Sequence, residues 1–345
     1  MALRANSCPV QLCLSCGSFA GHASDTEDFL SPAEIVASAP ARVDLAGGWT
    51  DVAPYTTEVG GAVCNVAIEL RAMATVVASD RVTAPADGLV RAAWHRAGEP
   101  PVSVRLHSTI PLGAGLGGSS AAGVALAAAL AQWNGITHSP HDLAELSRST
   151  EIETLGLAGG CQDHYAAAYG GALLLRCAAE TTARPIVLQD ETIIEFESRA
   201  MIAYTGESRM SSRTITAVLE AYRAGEPQTC DALATMAGLA PDMAAALHDG
   251  DIDHLGTLLQ RQWAAQRALH PTITTALIDR LVTDVAAAGA LGTKALGASG
   301  GGCVLVIARA DRVAQVRSAI EPLATLLPLR VARSGVQVHV GGGHA

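Results

Sequence analysis

The feature that most constrains this chain is a glycine-rich loop placed directly before an alanine-rich helical run. The loop reads PLGAGLGGSSA over residues 111–121, and the alanine-rich run continues to Ala131. Glycines let the backbone turn its N–H groups inward, and the first turn of a helix carries a partial positive charge. Together these features predict an anion site, and a nucleotide phosphate is the ligand they favour.

The spacing of this loop differs from two other phosphate-binding patterns. A Walker A loop needs a lysine after its last glycine, and no lysine follows here. The glycines at 113, 115 and 118 satisfy the dinucleotide-binding spacing, but no apolar strand leads into them. A dinucleotide-dependent oxidoreductase would also need an acidic residue about twenty positions later, which the sequence around 134–139 does not supply. The loop therefore represents a third pattern.

Composition limits the class of protein. The 345 residues suffice for two domains with a large buried core, and 49% of them are apolar, which is typical of a globular chain. The formal net charge of −10 argues against a general nucleic-acid binder. No charge-free apolar run is long enough to span a membrane, so neither nucleic acid nor membrane is an expected partner. We expect a cytoplasmic protein with reduced thiols.

Three of the eight cysteines, Cys8, Cys13 and Cys16, are spaced as C-x4-C-x2-C. A zinc or cluster site would need a fourth ligand, and His22 is the only local candidate. The alternative, which the pattern favours, is a loose tail with free thiols. We interpret residues 1–32 as a flexible extension outside the fold.

Hydrophobic patterning predicts an α+β chain in two lobes, with a first domain over 33–200 and a second over 201–345. Residues 80–101 contain several prolines and glycines and predict a loop or hairpin. The segment Ile193–Phe196 reads as a strand. Pro241 is expected to break or kink a helix over Thr229–His248.

Three further motifs accompany the loop. They are PARVDLAGGWTD at 40–51, GGCQDHYAAAYGG at 159–171 and LGASGGGCVLV at 296–306. In this order, the four segments resemble those of the GHMP kinases, the superfamily of galactokinase, homoserine kinase, mevalonate kinase and phosphomevalonate kinase. The resemblance covers about residues 33–310. It implies an N-terminal nucleotide-binding lobe, a ferredoxin-like C-terminal lobe, and an active site in the cleft between them that uses ATP and Mg²⁺.

The resemblance assigns nucleotide binding to the glycine-rich loop, namely Pro111, Gly113, Gly115, Leu116, Gly117, Gly118, Ser119 and Ser120. Magnesium prefers oxygen ligands, and a loop hydroxyl with one carboxylate would suffice beside the phosphates. Ser120 matches the metal-coordinating serine, with Ser119 as its substitute. The predicted helix over His141–Thr154 ends with Glu151 and Glu153, and the resemblance favours Glu153. The alternative is that both glutamates are solvated helix charges.

Asp163 matches the catalytic carboxylate of the resembling kinases, as a base or as an orienting group for the acceptor hydroxyl. Arg42 matches an arginine that lies near this carboxylate and the transferred phosphoryl group, where it would lower the carboxylate pKa and stabilise charge. The alternatives are a helix cap for Asp163 and a strand-end salt bridge between Arg42 and Asp44.

The acceptor residues implied by the resemblance are Gly48, Trp49, Thr50, Asp51, Asp163, Gly300, Gly301 and Gly302. Asp51 matches a sugar-kinase aspartate that accepts hydrogen bonds from substrate hydroxyls. The glycine triplet is expected to pack against the nucleotide loop and the substrate, or simply to form a tight turn. Lys294 could face a phosphate or solvent, and the general exposure of lysine favours solvent.

The sequence TDVAPYTTEVGG at 50–61 most resembles the D-glycero-D-manno-heptose 7-phosphate kinases, and next the kinase domain of fucokinases; both phosphorylate the anomeric hydroxyl. Trp49 replaces a glycine that is usual in the heptose kinases, and GGW is the fucokinase form. A 7-phosphate would need a cationic pocket, and Arg209 and Ser212 are the candidates for it. The alternative is that these residues form an ordinary helix start.

We expect an anomeric sugar kinase that supplies nucleotide-activated sugar synthesis. The expected acceptor is D-glycero-D-manno-heptose 7-phosphate, with L-fucose as the alternative. A non-catalytic ligand sensor is the alternative from another class, and a homodimer is compatible with the sequence.

Overall fold

The protein is described here by a computed structural model. It describes residues 34–80, 83–154, 159–206 and 212–341; for residues 153, 154, 212 and 213 it describes the backbone alone. The cysteine cluster at 8–16, His22 and the extension at 1–32 lie outside the described residues.

A six-stranded antiparallel sheet and the helices packed on it form the first part of the chain. The strands run in the order β10 (Gln337–Gly341), β1 (Glu34–Ala46), β2 (Gly61–Ala78), β4 (Ala172–Cys177) and β5 (Thr182–Ile186), and β3 (Val102–Ser108) also pairs with β2. The elements are β1 (Glu34–Ala46), α1 (Tyr55–Glu58), β2 (Gly61–Ala78), α2 (Gly88–Arg96), β3 (Val102–Ser108), α3 (Gly118–Trp133), α4 (Pro140–Ser149), α5 (Gln162–Tyr169), β4 (Ala172–Cys177) and β5 (Thr182–Ile186), with a π-helical turn at Thr150–Thr154.

A second antiparallel sheet has four strands, in the order β7 (Ala290–Ala295), β8 (Cys303–Ala308), β6 (Ala200–Tyr204) and β9 (Thr325–Leu327). The remaining part of the chain also contains β10, which belongs to the first sheet. The elements are α6 (Asp190–Arg199), β6 (Ala200–Tyr204), α7 (Ser212–Arg223), α8 (Pro227–Asp249), α9 (Ile252–Leu269), α10 (Ala276–Ala288), β7 (Ala290–Ala295), β8 (Cys303–Ala308), α11 (Val313–Ile320), β9 (Thr325–Leu327) and β10 (Gln337–Gly341), with 3-10 turns at Pro271–Ile273 and Ala310–Arg312. In chain order, the first and third strands of this sheet, β6 and β8, are central. Helices connect β6 to β7 and β8 to β9, whereas a loop joins β7 to β8, so the topology is ferredoxin-like. The predicted α+β class is confirmed.

Helix α3 has so many small apolar residues because it is buried. It packs against β1 and β2, and ten of its residues from Ala121 to Ala131, all but Ala122, are buried. Alanine allows close approach of the helix to the sheet and has the highest helix propensity. The next helix, α4, begins with a capping box, in which the Ser139 side chain accepts from Asp142 N–H and Pro140 occupies the first turn.

Two local expectations were wrong, and a third was wrong in part. Residues 190–199 form helix α6 rather than a strand, and its first turn carries the acidic pair Asp190 and Glu191 that favours a helix start. Helix α2 occupies part of the segment expected to be a loop or hairpin, and the Asp87 side chain caps it by accepting from Val90 N–H. The break expected at Pro241 is absent, because Pro241 lies inside α8; a kink there stays a prediction. The packing of α8 against α9 and the first sheet outweighs the one hydrogen bond that a proline removes.

The last strand returns to the first sheet. Although β10 lies in the segment assigned to the second domain, it pairs antiparallel with β1, from Glu34 opposite Gly341 to Ser38 opposite Gln337. The chain thus crosses between the two sheets twice. Within the described part of the chain, no helix has both the length and the apolar character needed to cross a membrane.

Candidate active site

The glycine-rich loop reaches the first turn of α3 through residues in left-handed backbone conformations. Gly113, Gly115 and Gly117 have φ angles of 69°, 73° and 74°, which side chains disfavour. A Cβ at Gly115 would lie 2.6 Å from the carbonyl oxygen of Leu296, on the segment after β7. The loop is therefore packed backbone to backbone against the second sheet's connection.

The glycine triplet supports this loop from the other side. Cys303 N–H donates to the carbonyl oxygen of Ala114 at 2.9 Å, and a Cβ at Gly302 would lie 2.8 Å from that oxygen. Gly300 N–H donates to the carbonyl oxygen of Ile273. The expected packing of the triplet on the loop is present in the structure; its contact with substrate stays a prediction.

Arg42 joins the loop to Asp163. The Arg42 Nε and Nη2 atoms each lie 2.7 Å from Asp163 Oδ1, and Nη1 donates to the carbonyl oxygen of Gly115 at 2.7 Å. Arg42 is 3% exposed, and the Asp163 carboxylate compensates its buried positive charge. On the other side, a Cβ at Gly117 would lie 3.1 Å from Asp163 Cγ. Asp163, on the first turn of α5, therefore adjoins the glycine-rich loop directly.

Asp44 does not form the alternative salt bridge with Arg42. Its Oδ2 instead lies 2.7 Å from Lys294 Nζ, which also donates to the Asp44 carbonyl oxygen at 3.1 Å. The expectation that Lys294 faces solvent is wrong, because this side chain is 0% exposed. Burial lowers the pKa of Lys294, and the Asp44 carboxylate opposes that effect. The position of Lys294 in an apolar strand sequence was the available signal.

Asp51 is hydrogen-bonded to the start of α5, the helix that carries Asp163. Gln162 N–H donates to Asp51 Oδ2 at 3.1 Å, and a Cβ at Gly160 would overlap that oxygen, so only glycine fits there. Burial raises the pKa of Asp51 to about 6; the Gln162 hydrogen bond opposes the shift, and the nearby charge of Asp163 adds to it. The carboxylate therefore takes up a proton at a higher pH than an ordinary aspartate does.

A cavity of about 180 Å³ brings the predicted catalytic and acceptor residues together; its lining includes Arg42, Gly48, Trp49, Asp51, Gln162, Asp163 and Ile215. Trp49 has a φ of 80° and is buried. Thr50 points into the local turn instead, where its hydroxyl donates to the Gly47 carbonyl oxygen at 2.7 Å. The glycine triplet lies behind the loop rather than in this lining. Arg209 lies outside the described residues, as does the side chain of Ser212.

A polar network surrounds the serines that begin α3. Ser119 Oγ donates to Glu151 Oε1 at 2.5 Å. The other Glu151 oxygen lies 3.2 Å from His164 Nε2, which is also 3.3 Å from Ser120 Oγ. His164 Nδ1 lies 3.0 Å from Ser147 Oγ. Burial alone would raise the pKa of Glu151, but hydrogen bonds from His164 and Ser119 outweigh it and lower the pKa.

This network contains two residues, Ser147 and His164, to which the sequence analysis gave no role, although His164 lies within the motif at 159–171. Its carboxylate is Glu151, while the side chain of Glu153 lies outside the described residues. The hydroxyls and carboxylate are hard oxygen donors and fit Mg²⁺. Within the described ranges, no group of three or more His, Cys, Asp or Glu forms a metal site. A magnesium ion here would therefore need nucleotide phosphates among its ligands.

Comparison with known proteins agrees with this geometry. Residues 86–171 match the GHMP kinases N terminal domain, and residues 243–323 match the GHMP kinases C terminal domain. These two ranges include the loop with α3, the segment around Asp163 and the glycine triplet.

Several curated proteins are similar in sequence. The D-glycero-alpha-D-manno-heptose 7-phosphate kinase of Campylobacter jejuni is 26% identical over 76% of this chain and 86% of its own length. The L-fucokinase/L-fucose-1-P guanylyltransferase of Bacteroides fragilis is 27% identical over 90% of this chain but only 39% of its own length. The bifunctional fucokinase/GDP-fucose pyrophosphorylase of Arabidopsis thaliana is 23% identical, over 87% of this chain and 32% of that protein. The chain thus spans about a third of the two bifunctional relatives.

Solved structures share the fold. A D-glycero-D-manno-heptose 1-phosphate kinase from Bacteroides thetaiotaomicron superposes with a TM-score of 0.73 at 23% identity, over 88% of this chain and 98% of that one. Lactococcus lactis galactokinase, complexed with galactose, superposes with a TM-score of 0.72 at 16% identity, over 88% of this chain and 95% of that one.

Proposed function

This chain carries the N-terminal and C-terminal domains of the GHMP kinases, and from that premise we propose that it is an ATP-dependent kinase for the anomeric hydroxyl of a sugar. D-glycero-D-manno-heptose 7-phosphate is the first acceptor to test, with the product entering nucleotide-activated sugar synthesis. One observation carries the proposal: Asp163 adjoins Gly117 of the loop and lines the same cavity as Asp51. A nucleotide phosphate on one side and a sugar hydroxyl on the other would meet at this carboxylate.

In the proposed reaction, the anomeric oxygen attacks the terminal phosphorus of ATP, the bond to the bridging oxygen of ADP breaks, and the hydroxyl proton leaves. The loop amides and the N-terminus of α3 hold the phosphates. Asp163 accepts a hydrogen bond from the attacking hydroxyl and orients it or takes its proton. Arg42, fixed by the Gly115 carbonyl, holds this carboxylate in place and stabilises charge on the transferring group.

Ser120 and Ser119, with Glu151 or Glu153, would hold Mg²⁺ together with the phosphates. When bound, the ion neutralises charge on the phosphate oxygens. The structure brings the Glu151 carboxylate to Ser119, so we favour Glu151 of the two glutamates.

The sugar would occupy the cavity lined by Gly48, Trp49 and Asp51, with hydroxyls donating to the Asp51 carboxylate. If the acceptor is the heptose phosphate, Arg209 and Ser212 bind the 7-phosphate by charge and hydroxyl donation. Similarity to the Campylobacter heptose 7-phosphate kinase over most of that protein's length supports this choice.

L-fucose is the second candidate, and Trp49 is the observation that favours it. Trp49 is one of the residues that line the cavity, and an aromatic ring can stack on the apolar face of a sugar without any phosphate. The two fucokinase relatives match 87% and 90% of this chain.

An acceptor screen tests the proposal. ADP release is measured with heptose 7-phosphate, L-fucose and mannose at fixed ATP and Mg²⁺, and the product is examined for a phosphate on the anomeric oxygen. Turnover highest with heptose 7-phosphate supports the first candidate, and turnover highest with L-fucose supports the second. Tight nucleotide binding without turnover for any acceptor would contradict both and favour a ligand sensor.

A further inference from the structure

We infer that His164 is a positioning residue that fixes the metal-binding groups of the nucleotide site. It lies next to Asp163 on α5, is 2% exposed, and contacts hydroxyls or a carboxylate with both ring nitrogens. None of the four motifs or the comparisons gives it a role. The inference rests on the proposed kinase function, because it concerns how that site holds a metal–nucleotide complex.

The contacts define what each ring nitrogen does. A carboxylate accepts hydrogen bonds and cannot donate them, so the Nε2 atom facing Glu151 Oε2 at 3.2 Å carries a hydrogen. In the neutral ring, Nδ1 then accepts from the Ser147 hydroxyl, which lies 3.0 Å away. Ser147 thereby fixes the ring orientation, and the ring fixes the Glu151 carboxylate.

The groups that His164 holds come from separate elements. Ser120, which His164 contacts directly, belongs to the first turn of α3, while Glu151 lies in the π-helical turn after α4. Ser119, also in the first turn of α3, is reached only through Glu151. Glu151 is held at both oxygens, by Ser119 Oγ at 2.5 Å and by His164 at 3.2 Å. Such a partner of a ligand orients it and raises metal affinity without touching the metal.

The sequence position of His164 adds a second consequence. Asp163 and His164 are consecutive residues in the first turn of α5. Asp163 lines the proposed acceptor cavity, and His164 contacts Ser120 at the start of α3. The same turn therefore contacts the proposed sites of both substrates. Gly123 makes room for this arrangement, because a Cβ there would overlap Ser147 Oγ. A rigid α5 turn would thus set the relative position of metal and acceptor.

Two substitutions separate the role of each nitrogen. His164→Gln places an amide N–H near the position of Nε2 and can still donate to Glu151. His164→Asn places its amide near Nδ1, so it can contact Ser147 but does not reach Glu151. Both are neutral, polar and smaller than histidine, so they form a matched pair for the structural disturbance.

The measurement is Mn²⁺ binding to the purified full chain saturated with a non-hydrolysable ATP analogue, read from the free-Mn²⁺ signal in electron paramagnetic resonance. We expect wild type and His164→Gln to differ by less than about threefold, and His164→Asn to bind Mn²⁺ about tenfold more weakly or worse. In steady-state assays, the KM for the metal nucleotide should rise in His164→Asn while the acceptor KM stays near wild type.

Equal Mn²⁺ affinity in His164→Asn and wild type, or equal losses in both variants, would overturn the inference. Should His164→Asn fail to fold by circular dichroism, Ser147→Ala decides, since it removes only the hydroxyl that orients the ring: weaker Mn²⁺ binding supports the role, and unchanged binding contradicts it. A wild-type protein that binds no Mn²⁺–nucleotide would overturn the proposed function itself, which distinguishes the two failures.

Discussion

Lys294 Nζ and Asp44 Oδ2 lie 2.7 Å apart with both side chains almost completely buried, at 0% and 3% exposure, and they join β7 of the second sheet to β1 of the first. Two buried opposite charges stabilise little as a pair, but removing one leaves the other without compensation in a low-dielectric interior. Asp44 also lines the cavity of the candidate site. The ion pair that links the two sheets therefore includes a residue of that site.

We expect Lys294→Met to lower the free energy of unfolding by about 3–5 kcal/mol, because it leaves the Asp44 carboxylate buried and unpaired. Urea denaturation measures this. The double variant Lys294→Met with Asp44→Asn should recover part of the loss. As a surface control, Arg280→Met breaks an exposed ion pair with Asp284 and should change stability by less than about 1 kcal/mol. Equal effects of the two single variants would contradict a special role for the buried pair.

Asp163→Asn should lower turnover by about 10²–10⁴-fold, because the amide cannot accept the acceptor's proton or balance the Arg42 charge. The affinity for an ATP analogue should change only modestly, since the loop amides are untouched. Stopped-assay ADP release and fluorescence titration of the analogue separate the two. Near-normal turnover would remove Asp163 from the proposed mechanism.

Asp51→Asn should show a pH-dependent effect on stability. The pKa of Asp51 is raised to about 6, mainly by burial, so the folded protein holds this proton more tightly than the unfolded chain. The ionised carboxylate therefore destabilises the fold at pH values above its folded pKa, and this effect is absent below its unfolded pKa. We expect Asp51→Asn to be more stable than wild type by on the order of 2–3 kcal/mol at about pH 8 and nearly equal at about pH 4.

Urea denaturation at both pH values checks this, and a stability difference that does not vary with pH would contradict it. The same substitution should raise the acceptor KM, most clearly at the higher pH, because the wild-type carboxylate is then ionised and accepts hydrogen bonds at both oxygens, whereas an amide accepts at one.

Gly117→Ala should impair nucleotide binding and turnover strongly. Gly117 has a φ of 74°, and a Cβ there would lie 3.1 Å from Asp163 Cγ. Gly135 offers a matched control, since its φ is 70° and a Cβ added there would meet nothing within 4 Å. Gly135→Ala should cost about 1 kcal/mol of stability with near-normal kinetics. Similar kinetic losses in both variants would show that left-handed backbone strain, and not the contact with Asp163, is responsible.

Arg209→Ala should raise the acceptor KM far more for a sugar phosphate than for a free sugar, because a guanidinium pairs with phosphate oxygens. The exposed Arg223 at the end of α7 provides the control for loss of one positive charge. Steady-state kinetics with heptose 7-phosphate and L-fucose make the comparison. Equal effects of Arg209→Ala on both acceptors would argue against a phosphate pocket there.

The sequence alone determined the α+β organisation and the resemblance to the GHMP kinases, because glycine spacing and hydrophobic patterning are local properties. Phosphate binding by the glycine-rich loop stays a prediction. The sequence also identified Arg42 and Asp163 as candidates, and the structure brings them together. It failed for α6, where a short apolar pattern is ambiguous between strand and helix, and for a break at Pro241, where helix packing outweighs local propensity.

Only the tertiary structure decided which charges pair. Arg42 could have bonded to Asp44, two residues away, but the crossing of the two sheets gives Asp44 to Lys294, 250 positions later. Glu151 and His164 likewise meet only because α3, α4 and α5 pack together. Pairing of buried charges depends on distance in space and on exclusion of water, and neither quantity is written in the local sequence.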